Sequence, residues 1–368
     1  MVSRKLRSAA ATAARVVHLA SGREWRGGQR QVLLLARGLA ARAEVSTLVV
    51  TGGGSRLARE LAAAGVAVQC PHWRVGLDPR ALAALLRHCT ADTIIHAHDG
   101  HAHALADAAA VIRGARVVVT RRVATAITAP RRFRRAAAVI VLSEAIAAEV
   151  AKAGVPRERI HRIPPAVDLQ SLEPPPLWPS EISCPEPGTP LAVTIAALTP
   201  EKGVDLLLEA AALLRPEWPR LRWLVLGDGP ERERLIARRR TLGLDDVVAM
   251  PGHVPRPEGT LARATLAVQP SRQEGFGSVV LEALALGVPM VATAVGGLPE
   301  ALAAGGGVLV PPDDPVALAK TIAGLLADPA RCAALGESGR TAAAGFGVER
   351  LVQRTLEVYR SLDLHPDG

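Results

Sequence analysis

The segment from Pro270 to Glu282 carries the clearest chemistry of this sequence, because it combines two carboxylates with glycines at the start of an apolar helix. Glu274 precedes Gly275 and Gly277, and glycines let backbone amides approach a ligand closely. Amides at a helix N-terminus bind phosphate groups or sugar hydroxyls. An ionised carboxylate at Glu282 can accept both hydroxyls of a ribose. The segment therefore predicts a site for a sugar and a nucleoside.

A second candidate group follows a predicted strand near residue 95 and consists of His96, His98, Asp99, His101 and His103. An H-x-H at a strand end can bind a metal, and Asp99 could add a carboxylate. That arrangement would suggest a metal-dependent hydrolase. No other set of Cys, His and carboxylate residues clearly completes such a site, so the metal site is the weaker interpretation.

The elements that must position these groups alternate regularly. Short β-branched runs are separated by Ala-, Leu- and Arg-rich stretches of helical period, which is typical of β-α-β units. A proline-rich stretch interrupts the pattern and predicts a linker. We therefore predict an N-terminal Rossmann-like domain over 1–170, a linker over 171–190, a second such domain over 191–345, and a C-terminal helix and tail over 346–368. Ligands of such sheets bind beyond the carboxyl ends of the strands.

The charge of the chain is unevenly distributed. Residues 1–168 carry 26 Lys and Arg against 11 Asp and Glu, whereas the whole chain has a net charge of only +9. This asymmetry predicts an anionic partner for the N-terminal half, such as a phosphorylated acceptor or an anionic membrane; the alternative is a basic surface that serves solubility. A patch for the membrane is predicted at Arg131, Arg132, Arg134 and Arg135. Only 2% of the residues are aromatic and no nucleic-acid motif occurs, so we predict no nucleic-acid partner.

Four scattered cysteines, without C-x-x-C spacing, predict neither a zinc site nor a disulfide framework. They suit a reducing compartment. No apolar run of about 18 residues occurs, so no membrane span is predicted. The expected location is the cytoplasm, with the inner face of the cytoplasmic membrane as a possible site of action.

The spacing of Glu274 and Glu282, an E-x7-E arrangement, resembles that of the retaining GT-B glycosyltransferases called group 1. Further matches to this family follow in the family's order and cover nearly the whole chain: Gly27-Gly28-Gln29, Leu198–Gly203, Leu224–Pro230, Gly252-His253-Val254 and Leu286–Glu300. The resemblance implies an α/β protein with the GT-B fold, in which two doubly wound Rossmann-like domains face each other across a cleft. It also implies retaining transfer of a sugar from a nucleotide-diphosphate donor bound by the C-terminal domain.

The resemblance, extended to the residues at each matched position, implies specific roles. We predict catalytic roles for Glu274, Lys202, Arg122 and His98, and an acceptor side with Asp99, Arg121 and Arg122. The predicted donor-binding residues are Gly27, Gly28, Lys202, Gly227, His253, Val254, Arg272, Glu274, Gly275, Phe276, Gly277, Ser278 and Glu282. No D-x-D motif occurs, so we expect no cofactor and no metal. The phosphate charge would be met by Lys202, arginines and helix dipoles.

Two positions depart from the family pattern. Ala197 stands where the family usually has an arginine, and Arg272, Arg121 and Arg122 are candidates to supply the missing charge. The second departure is at Thr120-Arg121-Arg122, where many members carry a histidine; either arginine could stabilise a leaving diphosphate. This Thr-Arg-Arg subgroup is similar to enzymes of lipopolysaccharide or cell-envelope assembly.

We therefore predict a glycosyltransferase that acts on a glycan or glycolipid acceptor, specifically an anionic envelope glycolipid or saccharide. One alternative is a nucleotide-sugar epimerase of the same architecture, because a fold does not determine a reaction. The other is the metal-dependent hydrolase that would use the histidines between His96 and His103.

Overall fold

The computed structural model describes residues 14–73, 77–172 and 185–363. They form two compact units. The N-terminal unit contains the described residues up to Leu142, then Ile146–Ile163 and the C-terminal segment that begins at Val348. The C-terminal unit contains Ser143–Ala145 and Pro164–Gly347.

The N-terminal unit is built on a seven-stranded parallel sheet with the strand order β3-β2-β1-β4-β5-β6-β7. Its strands are β1 (Ala14–Ala20), β2 (Val45–Thr51), β3 (Ala67–Gln69), β4 (Ile94–Ala97), β5 (Arg116–Arg121), β6 (Ala138–Val141) and β7 (Ile160–Arg162). The connecting helices are α1 (Gly27–Ala40), α2 (Arg56–Ala63), α3 (Pro79–Leu86), α4 (Gly100–Arg113), α5 (Pro130–Arg135) and α6 (Glu144–Lys152). The order of the strands reverses between β1 and β4, which is where ligands bind in open α/β sheets.

The C-terminal unit has a six-stranded parallel sheet with the order β10-β9-β8-β11-β12-β13. Its strands are β8 (Leu191–Ile195), β9 (Arg222–Leu226), β10 (Val248–Gly252), β11 (Leu266–Gln269), β12 (Met290–Thr293) and β13 (Gly307–Val310). Its helices are α7 (Val204–Leu214), α8 (Arg232–Thr241), α9 (Glu258–Leu261), α10 (Ser278–Leu286), α11 (Leu298–Leu302), α12 (Pro315–Leu326) and α13 (Pro329–Ala343). Here the order reverses between β8 and β11.

Both cores are assembled from Val, Leu, Ile and Ala with few aromatic residues. Strands β4, β6, β11 and β12 are buried on both faces, so their burial does not alternate along the strand. Each fully buried Val or Leu side chain contributes roughly 1.5–3 kcal/mol to stability. Side-chain caps begin several helices. For example, Asp99 accepts a hydrogen bond from the amide of Ala102 at the start of α4.

The chain divides differently from the predicted domain limits at two places. Residues 164–170, predicted as part of the first domain, belong to the C-terminal unit. The last helix, α14 (Val348–Asp363), belongs to the N-terminal unit, where Val352, Leu356 and the fully buried Tyr359 enter a core with Val16 and Leu39. Within the predicted linker, residues 173–184 lie outside the described residues. None of the helices in the described part of the chain combines the length and apolar character that crossing a bilayer requires.

Candidate functional site

The predicted lysine and glutamate of the C-terminal unit meet where its strand order reverses. Lys202 lies after β8 and Glu274 lies after β11, and the Lys202 Nζ is 2.7 Å from the Glu274 Oε2. The amide of Gln269 lies 3.3 Å from the same oxygen, and the backbone amide of Gly275 donates to Oε1 at 3.2 Å. The Glu274 carboxylate is therefore held by one cation and by neutral donors, with little exposure to solvent.

Two glycines allow the loops around Glu274 to pack this closely. Gly296 has a φ of +54°, and a Cβ at that position would stand 1.7 Å from the carbonyl oxygen of Glu274. Gly203, with a φ of +64°, likewise allows the loop of Lys202 to pack closely. A Cβ added at this position would stand 2.0 Å from the Pro270 carbonyl oxygen. Side chains at these positions would push the loops apart and would also strain the backbone.

The remaining predicted donor-binding residues of this unit lie at the same edge of the sheet. Glu282 is buried on α10, only 6% exposed, although the flanking residues of this helix are apolar. Ser278 begins α10 after Gly277, so the helix N-terminus directly follows Gly275 and Phe276. Gly227, His253 and Val254 lie at the ends of β9 and β10; Val254 is buried, whereas His253 is exposed.

Arg272, a predicted substitute for the missing arginine, is already paired with carboxylates. Its guanidinium donates to both oxygens of Asp205, at 2.8 and 2.9 Å, and to Asp313 at 2.7 Å. The hydrogen bonds that Arg272 donates to Asp205 raise the pKa of Arg272. Burial raises the pKa of Asp205, but the hydrogen bonds and charge of Arg272 outweigh this effect and hold it below its ordinary value. The charge that Arg272 could offer a diphosphate is therefore balanced within the protein.

In the N-terminal unit, Asp99 links the two loops at the point where the strand order reverses. Its carboxylate accepts from the backbone amide of Ser21 at 2.7 Å and from the Ser21 hydroxyl at 2.5 Å, while it caps α4 at Ala102. Ser21 follows β1 and Asp99 follows β4. The aspartate that was predicted to meet an acceptor thus has a structural use, since it ties the ends of neighbouring strands together.

Three predicted site residues of this unit come together: Gly28, His98 and Arg122. Arg122 donates from Nη1 to the carbonyl oxygen of His98, and its Nη2 lies 3.2 Å from the His98 Nδ1. Its Nε is buried and has no partner among the described residues. A Cβ on Gly28, near the N-terminus of α1, would lie 3.7 Å from the Arg122 Cδ. Burial lowers the pKa of Arg122 to about 10, against the opposing charge of Asp99, so the group stays cationic at neutral pH.

The neighbouring Arg121 has different partners from those of Arg122. Its Nη2 donates to the carbonyl oxygen of Thr125 at 2.7 Å and lies 2.9 Å from the Thr125 hydroxyl, and its guanidinium stands over the ring of Phe133. The two adjacent arginines, which the sequence could not distinguish, therefore have different partners, and only Arg122 lies beside Gly28 and His98.

The predicted histidine cluster separates into two groups. His96 and His98 are buried beneath the sheet edge with His18 from β1, a residue that the sequence did not single out. His103 is buried edge-on against Phe133, and His101 is exposed at the start of α4. Burial lowers the pKa of His18 to about 3 and lowers those of His96 and His98 well below their ordinary value.

Nitrogen atoms of His18, His96 and His98 lie within 4.8 Å of one another, a spacing at which a metal ion could be held. The surroundings do not favour a cation. Both nitrogens of His96 already have partners, the Tyr359 hydroxyl at 2.6 Å and the Thr120 hydroxyl at 2.7 Å. The Arg122 guanidinium lies against His98, where it would repel a second positive charge.

Several contacts of the candidate site were not apparent from the sequence. Gln269, at the end of β11, contacts both the Ser271 hydroxyl and the Glu274 carboxylate. Asp205 binds Arg272 across 67 positions of the chain. The available signal for such residues was a polar side chain at the carboxyl end of a buried parallel strand, and Gln269 and His18 carry that signal.

Known proteins are similar to this chain in both of its units. Residues 182–342 match the family model of group 1 glycosyl transferases, and residues 25–171 match the model of glycosyltransferase family 4. The D-inositol 3-phosphate glycosyltransferase 1 of Catenulispora acidiphila is 38% identical over 225 residues, which are 58% of this chain and 54% of that protein. The putative colanic acid biosynthesis glycosyltransferase WcaL of Escherichia coli is 34% identical over 201 residues, 52% of this chain and 48% of that protein. The matched regions thus span about half the length of these curated relatives.

Solved structures share the fold over nearly the whole chain. The structure of Anabaena Alr3699/HepE in complex with UDP-glucose has a TM-score of 0.81 at 20% identity, and covers 95% of this chain and 99% of that one. The apo lipopolysaccharide outer core galactosyltransferase WaaB has a TM-score of 0.71 at 14% identity and covers 95% and 99%. The two parallel-sheet units therefore define the class, which is that of proteins with the GT-B fold. Within this class the chain resembles the group 1 glycosyltransferases over residues 182–342, and its named relatives are glycosyltransferases.

Proposed function

We propose that the protein transfers a sugar, with retention and without a metal, from a nucleoside-diphosphate sugar to an anionic glycan or glycolipid of the cell envelope. The observation that carries this proposal is the contact between Lys202 and Glu274 at the point of strand reversal in the C-terminal unit. In such a site a lysine meets a diphosphate and a fixed carboxylate orients the hydroxyls of a sugar.

The donor half of the proposal assigns a task to each part of the site. The amides at the start of α10 meet the diphosphate, since a helix N-terminus attracts phosphate. Lys202 joins them by exchanging its contact with Glu274 for phosphate oxygens when the donor binds. Glu274 holds the sugar, and Glu282 holds the ribose. The Anabaena relative was solved with UDP and with UDP-glucose, so UDP-glucose is the first donor to test.

The acceptor half of the proposal rests on charge. Arg122 offers a partly buried guanidinium that is bonded to neutral groups, and the N-terminal half of the sequence is strongly basic. Both features suit a substrate that carries phosphate or carboxylate groups. The names of the relatives, which include an inositol phosphate glycosyltransferase, a colanic acid enzyme and a lipopolysaccharide galactosyltransferase, support an envelope acceptor of this kind.

A peripheral contact with an anionic membrane would bring a lipid-linked acceptor to the enzyme. On α5, Arg131, Arg134 and Arg135 are exposed around the buried Phe133, and Arg135 is paired with Asp107. We expect retention on anionic liposomes that falls steeply with salt. Equal retention on neutral liposomes would contradict this part of the proposal.

The donor site is tested by calorimetric titration with UDP, GDP and ADP. Lys202→Ala removes a charge-assisted contact, and Glu282→Ala removes the carboxylate that accepts from the ribose. Each should therefore lower the affinity for the preferred nucleotide by roughly 10-fold or more. Lys320→Ala, at an exposed position on α12, is the matched control and should bind as the parent does. If none of the nucleotides binds, or if all variants bind equally, the assigned donor site is wrong.

Product analysis distinguishes the proposed transferase from the alternative, a nucleotide-sugar epimerase. Incubation with UDP-glucose and no acceptor should leave the sugar configuration unchanged if the protein is a transferase. The appearance of a second sugar isomer under these conditions would favour the epimerase, although the named relatives are glycosyltransferases.

A further inference from the structure

The hydrogen bonds of Arg122 determine where the protons of two buried histidines lie. A guanidinium has only donors, so the His98 Nδ1 that lies 3.2 Å from the Arg122 Nη2 must accept. A neutral imidazole carries one proton, and that of His98 therefore lies on Nε2. This Nε2 is 2.9 Å from the Nδ1 of His18, which must accept in turn. Hence His18 carries its proton on Nε2.

The two histidine rings are held rigidly in this relation. Their planes are nearly parallel, 13° apart, with centroids separated by 5.2 Å. His96 packs on the other side of His98 with a centroid distance of 4.2 Å and is anchored by the hydroxyls of Tyr359 and Thr120. All three rings are buried, so no water competes for the bond between His18 and His98.

The far end of this chain of hydrogen bonds is unsatisfied. The Nε2 of His18 is buried and has no partner among the described residues. An unpaired buried donor is unfavourable and uncommon in native proteins, so its presence calls for an explanation. A nonpolar residue would pack at this place without that disadvantage, so the gain from His18 must come from its other nitrogen, which faces His98.

We propose that His18 is a positioning residue that acts through His98 to hold the guanidinium of Arg122 in one orientation without a carboxylate bonded to it. A carboxylate in the place of His98 would orient the arginine equally well but would balance its charge, as Asp205 does for Arg272. A neutral imidazole orients without neutralising. The Arg122 charge then remains available to an anionic group of the substrate, and in this respect the inference rests on the proposed function.

The arrangement of protons can be tested without any substrate. In the full-length protein labelled with ¹⁵N-histidine, NMR should show His18 and His98 as neutral rings with the proton on Nε2. The signals are assigned by their loss in His18→Asn and His98→Asn. A proton on the Nδ1 of His98 would overturn the inference. So would stoichiometric zinc in the purified protein that is lost in His18→Leu, because the nitrogens would then be metal ligands.

The positioning role is tested by matched variants of His18. His18→Leu removes the acceptor and should lower kcat/KM for sugar transfer by roughly 3- to 10-fold, the effect of one hydrogen bond. His18→Asn keeps an oxygen near the place of Nδ1 and should restore activity to within about twofold of the parent. His161→Leu, a half-buried histidine on β7, is the control. Equal losses in His18→Leu and His18→Asn would contradict the proposal.

A double-mutant cycle separates positioning from general destabilisation. If His18 acts through Arg122, then His18→Leu should have no further effect on kcat/KM in an Arg122→Leu background. An undiminished effect in that background would overturn the inference. Should no sugar transfer be found at all, the proposed function fails, but the NMR result still decides whether the Arg122-His98-His18 arrangement exists.

Discussion

Each unit of this protein carries a partly buried arginine near the carboxyl edge of its parallel sheet, and the two arginines are held in opposite ways. Arg272, after β11, donates to the carboxylates of Asp205 and Asp313. Arg122, after β5, donates to the carbonyl and the ring nitrogen of His98. An arginine bonded to carboxylates serves mainly to fix loops, whereas one bonded to neutral groups retains a field that can act on an anion.

The difference extends to the histidines. The N-terminal unit buries His18, His96, His98 and His103, while His253 of the C-terminal unit is exposed. Similar doubly wound sheets thus support different chemistry at the same edge. In the N-terminal unit neutral rings surround a cation, and in the C-terminal unit the cations and carboxylates are paired. Four predictions test this contrast, beginning with the largest effect.

The N-terminal unit should lose stability in mild acid before the C-terminal unit does. Burial holds the pKa values of His18, His96 and His98 below the ordinary 6.5, so below pH 6.5 the unfolded chain binds protons that the folded unit does not. Stability is therefore complete above pH 6.5 and falls as the pH decreases, by about 1.4 kcal/mol per pH unit for each histidine. For His18, whose pKa in the folded unit is about 3, the loss between pH 7 and 5 should reach about 2 kcal/mol, and His96 and His98 add to it in the same direction.

Hydrogen exchange measured by mass spectrometry, corrected for the intrinsic effect of pH, distinguishes the units. Peptides from β1 and β4 should lose protection between pH 6.5 and 5, whereas peptides from β8 and β11 should keep theirs. Parallel loss in both units would remove the contrast between them. In His18→Leu the acid sensitivity of the N-terminal peptides should be smaller.

Replacement of Arg122 should affect turnover more than stability. Arg122→Leu removes a positive charge that no carboxylate balances directly, and we expect turnover to fall by roughly 10²- to 10³-fold, the usual effect of losing one preorganised electrostatic donor. Steady-state kinetics and urea unfolding of the same preparation measure both properties. A large loss of stability with little change in turnover would show that Arg122 stabilises the fold and does not act in sugar transfer.

Gly296 of the C-terminal unit and Gly28 of the N-terminal unit should tolerate replacement by alanine differently. In Gly296→Ala the new Cβ would stand 1.7 Å from the Glu274 carbonyl oxygen at a φ of +54°, so we expect a loss of about 2–3 kcal/mol in the free energy of unfolding. In Gly28→Ala the Cβ meets Arg122 at 3.7 Å, an ordinary contact, and alanine favours the helix by about 0.5–1 kcal/mol. Denaturant titration should therefore show that Gly296→Ala is less stable than the parent and that Gly28→Ala is more stable.

Replacement of Arg272 should act on stability. Arg272→Leu leaves Asp205 partly buried without its partner, and we expect a loss of about 1–2 kcal/mol, a value that allows for partial solvent exposure. Because Arg272 lowers the pKa of Asp205, this contribution is present above about pH 4 and disappears as the pH falls further. Calorimetry should show a Tm lower by about 3–6 °C at neutral pH. The double variant with Asp205→Leu should recover part of the loss; no recovery would argue against the ion pair.

Much of the fold and part of the site could be predicted from local sequence. The strand runs and the helical periods predicted two α/β domains, and Glu274, Gly275 and Gly277 marked the loop before α10. The sequence could not choose between Arg121 and Arg122, because adjacent arginines after a strand have the same local pattern. The structure separates them by their partners, Thr125 for one and His98 for the other.

The sequence by itself determined the class of fold and the place of the glycine loop before α10, because apolar periodicity, glycine and helix starts are properties of neighbouring residues. Only the tertiary structure decided which charges are balanced. A parallel sheet brings together strand ends that are far apart in the chain: His18 and His98 are separated by 80 positions, and His96 and Tyr359 by 263. These distant partners decide whether an arginine at a strand end meets a carboxylate or an imidazole. The residues next to the arginine in the sequence do not reveal which partner it has.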